Sequence, residues 1–198
     1  QSFATSCLKD HLTPSFEAFH DLLILLYDSA SKCHESCYAK EILNRLNTLY
    51  PCTGKKIEIG EKIATGHLLE ASQVPGAPQY LSKLYCGYEN DKKSIKKAEI
   101  LNALLPGTGY LYVGQNNTAL TAFLVNGLFI WAAYQFFHKG YVAAGIITTS
   151  LEGGWYFGGI YGGGRAAAEF NEKKYEQYGR KAMDQGCYYP ILQLHYVF

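Results

Sequence analysis

Thr118–Phe137 reads TALTAFLVNGLFIWAAYQFF, twenty residues without a formal charge. Tyr141–Gly164 reads YVAAGIITTSLEGGWYFGGIYGGG, with Glu152 as its one charge, and His138, Lys139 and Gly140 separate the two runs. A helix rises ~1.5 Å per residue and the hydrocarbon core of a bilayer is ~30 Å thick, so ~20 mainly apolar residues make a span. Two such runs joined by a short break predict a transmembrane helical hairpin within 101–170, its helices over about 118–137 and 141–170. The predicted fold class is therefore all-α: a small helical N-terminal domain, possible to staple with disulfides, plus the membrane hairpin.

Outward from the hairpin the chain changes character. The mean hydropathy of -0.11 averages a mixed, polar first half with the apolar runs that follow. Thr13-Pro14 has the form of a helix start, and Phe16, Phe19, Leu22, Leu23 and Leu26 follow at helical spacing. A second helix is predicted over His34–Tyr50, with Ile42, Leu43, Leu46 and Leu49 on one face and Pro51 ending it. Gly54 and Gly60 suggest a turn over 52–60, and a third helix is predicted over Glu61–Ser72. Residues 1–72 thus read as a cysteine-rich helical bundle or a loose tetratricopeptide-like array. Residues 73–100 read as a connector, irregular through Pro75, Gly76 and Pro78 and then basic and amphipathic through Lys92, Lys93, Lys96 and Lys97. Such a basic segment suits anionic headgroups. Residues 171–198 read as a charged extension of the second membrane helix followed by an apolar tail.

Six cysteines, Cys7, Cys33, Cys37, Cys52, Cys86 and Cys187, allow complete disulfide pairing. A small bundle gains from such staples, and disulfides persist in oxidising compartments. The chain starts at Gln1, which suits a product of signal cleavage. Both features favour a periplasmic location for the parts flanking the hairpin. The positive-inside rule pulls the other way, because Lys92, Lys93, Lys96, Lys97, Arg165, Lys173 and Lys174 flank the apolar runs. The expected location is the bacterial inner membrane, with N- and C-terminal parts on one side, the periplasmic one.

Three patterns inside 101–170 are candidate functional features. Gly154, Gly158, Gly162 and Ala166 recur every four residues, beside a second row at Gly159, Gly163 and Ala167. In lipid such a stripe lets another helix approach closely, so it is read as a helix-packing face. Asn126 lies 13 residues before Lys139 and Glu152 lies 13 after it. The two should sit at one depth, roughly 20 Å from the break, and they form a candidate intramembrane polar pair. Pro106, Gly107, Gly109 and Gly114, interleaved with Tyr110 and Tyr112, are read as the turn that leads the chain into the membrane.

Other chemistry finds little support. Net charge is +1, so no global field draws the chain to nucleic acid. Gly107-Thr108-Gly109 lacks the Gly-Lys-Ser/Thr ending of a phosphate loop. No Gly-x-Ser-x-Gly elbow occurs. Cys33 and Cys37 could share a metal with Cys52 or a histidine, but no second clear ligand pair exists, and cross-links to neighbouring helices are the better reading. The expectation is a non-enzyme without metal, cofactor or small-molecule substrate, whose partners are membrane lipid and other membrane-protein subunits.

Leu105-Pro106-Gly107-Thr108-Gly109-Tyr110, Tyr112-Val113-Gly114-Gln115, Ala122–Gly127 and Gly154–Gly162 together resemble a family of bacterial two-helix membrane hairpins. Its pattern is a Pro-Gly-x-Gly turn, aromatic residues and a glycine, then two apolar helices and a Gly-aromatic ending. The resemblance covers roughly a third of the chain, from Ala98 through Glu172, and leaves the cysteine-rich part outside. Some members occur beside tetratricopeptide-like regions or the membrane protein insertion efficiency factor YidD. This implies an envelope setting and a role as accessory or scaffold subunit of a membrane complex. The alternative role is a membrane-insertion or transport helper that uses Glu152.

Overall fold

The computed structural model describes residues 19–33 and 35–188, and every regular element among them is a helix. These residues divide into two compact units: 19–85 with 178–188, and 86–177.

In the first unit, α1 (Phe19–Lys32), α2 (Ser36–Leu49), α3 (Pro51–Ala64) and α4 (Leu68–Gln73) pack consecutively, each on the next. Helical spacing puts Phe19, Leu23, Tyr27 and Ala30 of α1 on one buried face, against Ala39, Ile42 and Leu46 of α2 and Ile57 of α3. The start expected at Thr13-Pro14 lies outside the described residues. Pro51 does end α2, and it also opens α3, where its fixed φ suits the first helical position. The turn expected at 52–60 is absent because α3 runs straight through it. Gly54 is buried there, and a Cβ on it would come within 2.9 Å of the Asn47 backbone. This glycine serves helix–helix approach rather than a bend. The real break falls at Gly66, whose φ of +92° ends α3, so the helix expected over Glu61–Ser72 is two helices.

Residues 73–90 are likewise not an irregular connector. Gly76, at φ +83°, turns the chain, and α5 (Gln79–Asp91) follows, with Leu81 fully buried. In the same unit the Tyr80 and Tyr188 hydroxyls are hydrogen-bonded at 3.0 Å.

The expected disulfide staples are not formed among the described residues. Cys33, Cys37, Cys52, Cys86 and Cys187 are all exposed, and no two of them lie at bonding distance. Apolar packing of α1–α3 supplies the cohesion instead. Cys7 lies outside the described residues.

The second unit holds α6 (Ile95–Leu104), α7 (Thr108–Tyr112), α8 (Asn116–His138) and the first 36 residues, 142–177, of α9 (Val142–Gly186). Ser94 caps α6, its hydroxyl accepting from the Lys97 N–H at 3.3 Å. Gly140, at φ +78°, makes the break between α8 and α9. The ring of Phe137 packs against Gly145, closing the hairpin beside that break. Of the two expected spans, α8 alone is long and apolar enough to cross a membrane, and it is largely unburied. The first half of α9 has the length but not the apolarity. Glycine adds almost nothing to hydropathy, and Gly153, Gly154, Gly158, Gly159 and Gly162–Gly164 dilute its Ile, Leu and Trp.

Candidate functional site

The features of residues 101–170 converge on one side chain that the sequence did not single out, Asn102. It sits at the C-terminal end of α6 and is 2% exposed. Its Oδ1 accepts from the Gly107 N–H at 2.9 Å and from the Gly109 N–H at 3.0 Å. Its Nδ2 donates to the Gly159 carbonyl of α9. One amide thus satisfies two N–H groups of the Pro-Gly-x-Gly turn and ties that turn to the glycine-rich helix.

Backbone requirements explain the turn residues. Gly107 has φ +99°, and a Cβ there would overlap the Ala119 carbonyl. A Cβ on Gly109 would overlap the Ala98 carbonyl. Gly114 has φ +81° and steers the chain from α7 towards α8. Thr108 Oγ1 donates to the Leu105 carbonyl at 2.7 Å. Pro106 lies between Asn102 and these glycines and lines a cavity.

The glycine stripe splits into two functions. A Cβ on Gly163 would stand 3.3 Å from the Ala98 carbonyl of α6, and one on Gly162 would overlap the Tyr110 hydroxyl of α7. Ala98, Val113, Ala166 and Ala167 are buried together, with Tyr110, Tyr112 and Phe170 around them. Gly162 and Ala166 therefore pack on α6 and α7. Gly154 and Gly158 do not pack: nothing lies within 4 Å of a Cβ built on either. They line a cavity of about 670 Å³, opposite Asn117, Thr121 and Asn126 of α8.

Asn126 is 4% exposed, so it does not face the surroundings of the helix. Its Nδ2 donates to the Ala122 carbonyl at 2.6 Å, and its Oδ1 is buried with no partner. Glu152 also has a buried oxygen, Oε2, without a partner. No hydrogen bond joins the two residues, and Glu152 is not among the cavity residues.

Two more anchors went unread in the sequence. The Tyr156 hydroxyl donates to the Ala103 carbonyl at 2.5 Å. Asn171 clamps the backbone of Lys93, accepting from its N–H at 2.7 Å and donating to its carbonyl at 2.8 Å. Lys174 pairs with Asp91 at 3.1 Å, while Lys93 and Lys97 lie over the Tyr112 ring at 5.0 and 5.1 Å. These contacts hold Asp91 and Lys93, at the junction of α5 and α6, beside residues 171–174 of α9. Asn102 had one faint signal, a lone amide in the apolar run Ile100–Leu105 just before the turn. Asn171, among charged neighbours, looked like any surface residue.

Among the described residues no three His, Cys, Asp or Glu side chains cluster as a metal site would require. His34, part of the metal reading, lies outside those residues. No protein-family model, no curated protein and no solved structure matches the chain.

Proposed function

We propose that this chain is a non-enzymatic accessory or scaffold subunit of a bacterial envelope membrane complex, held in the inner membrane by the α8–α9 hairpin. The observation that carries the reading is apolar exposure on both arms. Leu128 and Trp131 of α8 are 63% and 60% exposed, and Phe157 of α9 is 70% exposed, with Leu124, Ile147, Leu151 and Tyr161 similarly bare. Contiguous apolar surface of this kind needs lipid or protein cover. α8 supplies the length of a span by itself. The first half of α9, less apolar, shares the bilayer as the second arm and shields its glycines against α6, α7 and a partner. The resemblance of residues 98–172 to bacterial membrane hairpins supports the same setting.

We infer that the end of the hairpin opposite Gly140 is cytoplasmic. Lys92, Lys93, Lys96, Lys97, Arg165, Lys173 and Lys174 outnumber Lys139 at the break, and lysine and arginine near a span favour the cytoplasmic side. Among the described residues no two cysteines lie at bonding distance, which takes away their support for the periplasm.

A second reading, an insertion or transport helper, draws on the partnerless oxygen of Glu152. A carboxylate at membrane depth costs ~2.5–3.5 kcal/mol or more without a partner. The discriminating experiment is gentle detergent extraction, native size separation and mass spectrometry of co-migrating proteins, for the natural chain and for Glu152→Gln. A subunit migrates with a fixed set of envelope proteins, and Glu152→Gln leaves that set and the cellular function intact. Migration alone contradicts the subunit reading. Intact assembly with lost function in Glu152→Gln favours the helper.

A further inference from the structure

We propose that the cavity between α8 and α9 binds an uncharged lipid that carries a hydroxyl donor, of the diacylglycerol class. The proposal rests on the membrane reading above and adds a ligand to it. The volume, about 670 Å³, falls within the ~300–1,000 Å³ typical of small-molecule sites.

Four features of the lining define the occupant. The first is the floor. Gly154 and Gly158 meet nothing within 4 Å, so no helix among the described residues makes use of their missing side chains. Glycine inside a helix is less favourable than alanine. Here that loss gains open space, not a close helix contact. The second is the polar wall of α8. Thr118, Ala122 and Asn126 recur at four-residue spacing, as do Asn117 and Thr121, so the polar groups share one face.

The third is an unmet hydrogen bond. Thr121 Oγ1 already donates to the Asn117 carbonyl at 3.0 Å, and Asn126 Nδ2 already donates to Ala122. That second bond fixes the amide orientation and leaves Oδ1 of a nearly fully buried side chain without a donor. A buried acceptor left unpaired is destabilising, and a ligand O–H would satisfy it. The fourth is charge. No Asp, Glu, Lys, Arg or His lines the cavity, so a charged headgroup would be buried without a counter-charge. Trp155, Tyr110 and Tyr156 add aromatic surface to the lining, which suits apolar chains.

The test uses the full chain in phosphatidylcholine vesicles with a photoactivatable diacylglycerol, the cross-links being mapped by peptide mass spectrometry. Cross-links concentrate on 117–126 and 154–159. They fall at least about tenfold in Gly158→Leu, which fills the cavity from its floor, as expected for a loss of ~1.4 kcal/mol or more. They persist in Gly153→Leu, a neighbouring glycine outside the lining with equally open space. Unlabelled diacylglycerol removes them, and phosphatidylglycerol with the same chains does not. Labelling spread along Leu124, Leu128 and Trp131, labelling retained in Gly158→Leu, or equal displacement by phosphatidylglycerol overturns the site. Release of the unmodified chain from the vesicles by alkaline carbonate would instead overturn the membrane reading, and the lipid site with it.

Discussion

Asn102 makes three hydrogen bonds with one amide: its Oδ1 accepts from the N–H groups of Gly107 and Gly109, and its Nδ2 donates to the carbonyl of Gly159 within α9. Asn102→Ala should lower stability by roughly 3 kcal/mol, since it strands buried donors. Thermal unfolding in detergent measures this, and an unchanged midpoint would contradict the hub. Glycines separate in the same way. Gly109→Ala forces a Cβ into the Ala98 carbonyl and should destabilise, whereas Gly153→Ala meets nothing and should gain up to ~1 kcal/mol of helix propensity. Residue roles of this kind were the least legible in the sequence. Gly154, Gly158, Gly162 and Ala166 share a spacing, yet half of them pack on α6 and α7 and half open a cavity. Periodicity identifies a face but not what stands opposite it.

At the scale of elements, the long helices were the readable part. The charge-free run from Thr118 to Phe137 became α8, Asn116–His138, and the break at Gly140 fell where glycine and charge interrupt the apolar pattern. Long runs carry redundant signal, so single residues cannot mislead. The shorter helices misled through their glycines. Gly54 lies inside α3 because it lets Asn47 of α2 come close, a tertiary reason that composition cannot reveal. α5 was hidden by Pro75, Gly76 and Pro78 in front of it and Gly87 within it.

The α1–α3 packing also makes a pH prediction. The buried Tyr27 hydroxyl donates to Glu61 Oε2 at 2.5 Å. Burial, then the bond to Glu61, pushes the Tyr27 pKa upward. The unfolded chain therefore loses this proton first, near the ordinary tyrosine value of ~10, and the native state keeps it. The contribution is fully present below pH ~10 and is lost as pH rises above it. Tyr27→Phe should cost about 1–2 kcal/mol at neutral pH and make the alkaline decline shallower. Parallel pH–stability curves for the two proteins would refute this.

At the scale of the whole molecule, two units of different character share one chain. One is cemented by apolar side chains from α1–α3, the other by small residues, amides and tyrosine hydroxyls around α9. Neither relies on a disulfide among the described residues, so Cys37, Cys52, Cys86 and Cys187 should all react with a maleimide in the native, unreduced protein. Protection of any of these until reductant is added would restore the staple. The division of labour was partly visible in the sequence: the all-helical class and the one long apolar helix, α8, followed from hydropathy and length. The missing staples were not, because an even number of cysteines permits pairing without requiring it.

Alkaline carbonate extraction of membranes from cells making the full chain tests whether the α8–α9 hairpin holds the chain in a bilayer. The chain should stay in the membrane pellet after the wash and leave it only with detergent. Recovery of folded chain in the aqueous supernatant would contradict it, and would make the bare faces of α8 and α9 a contact surface for a soluble partner.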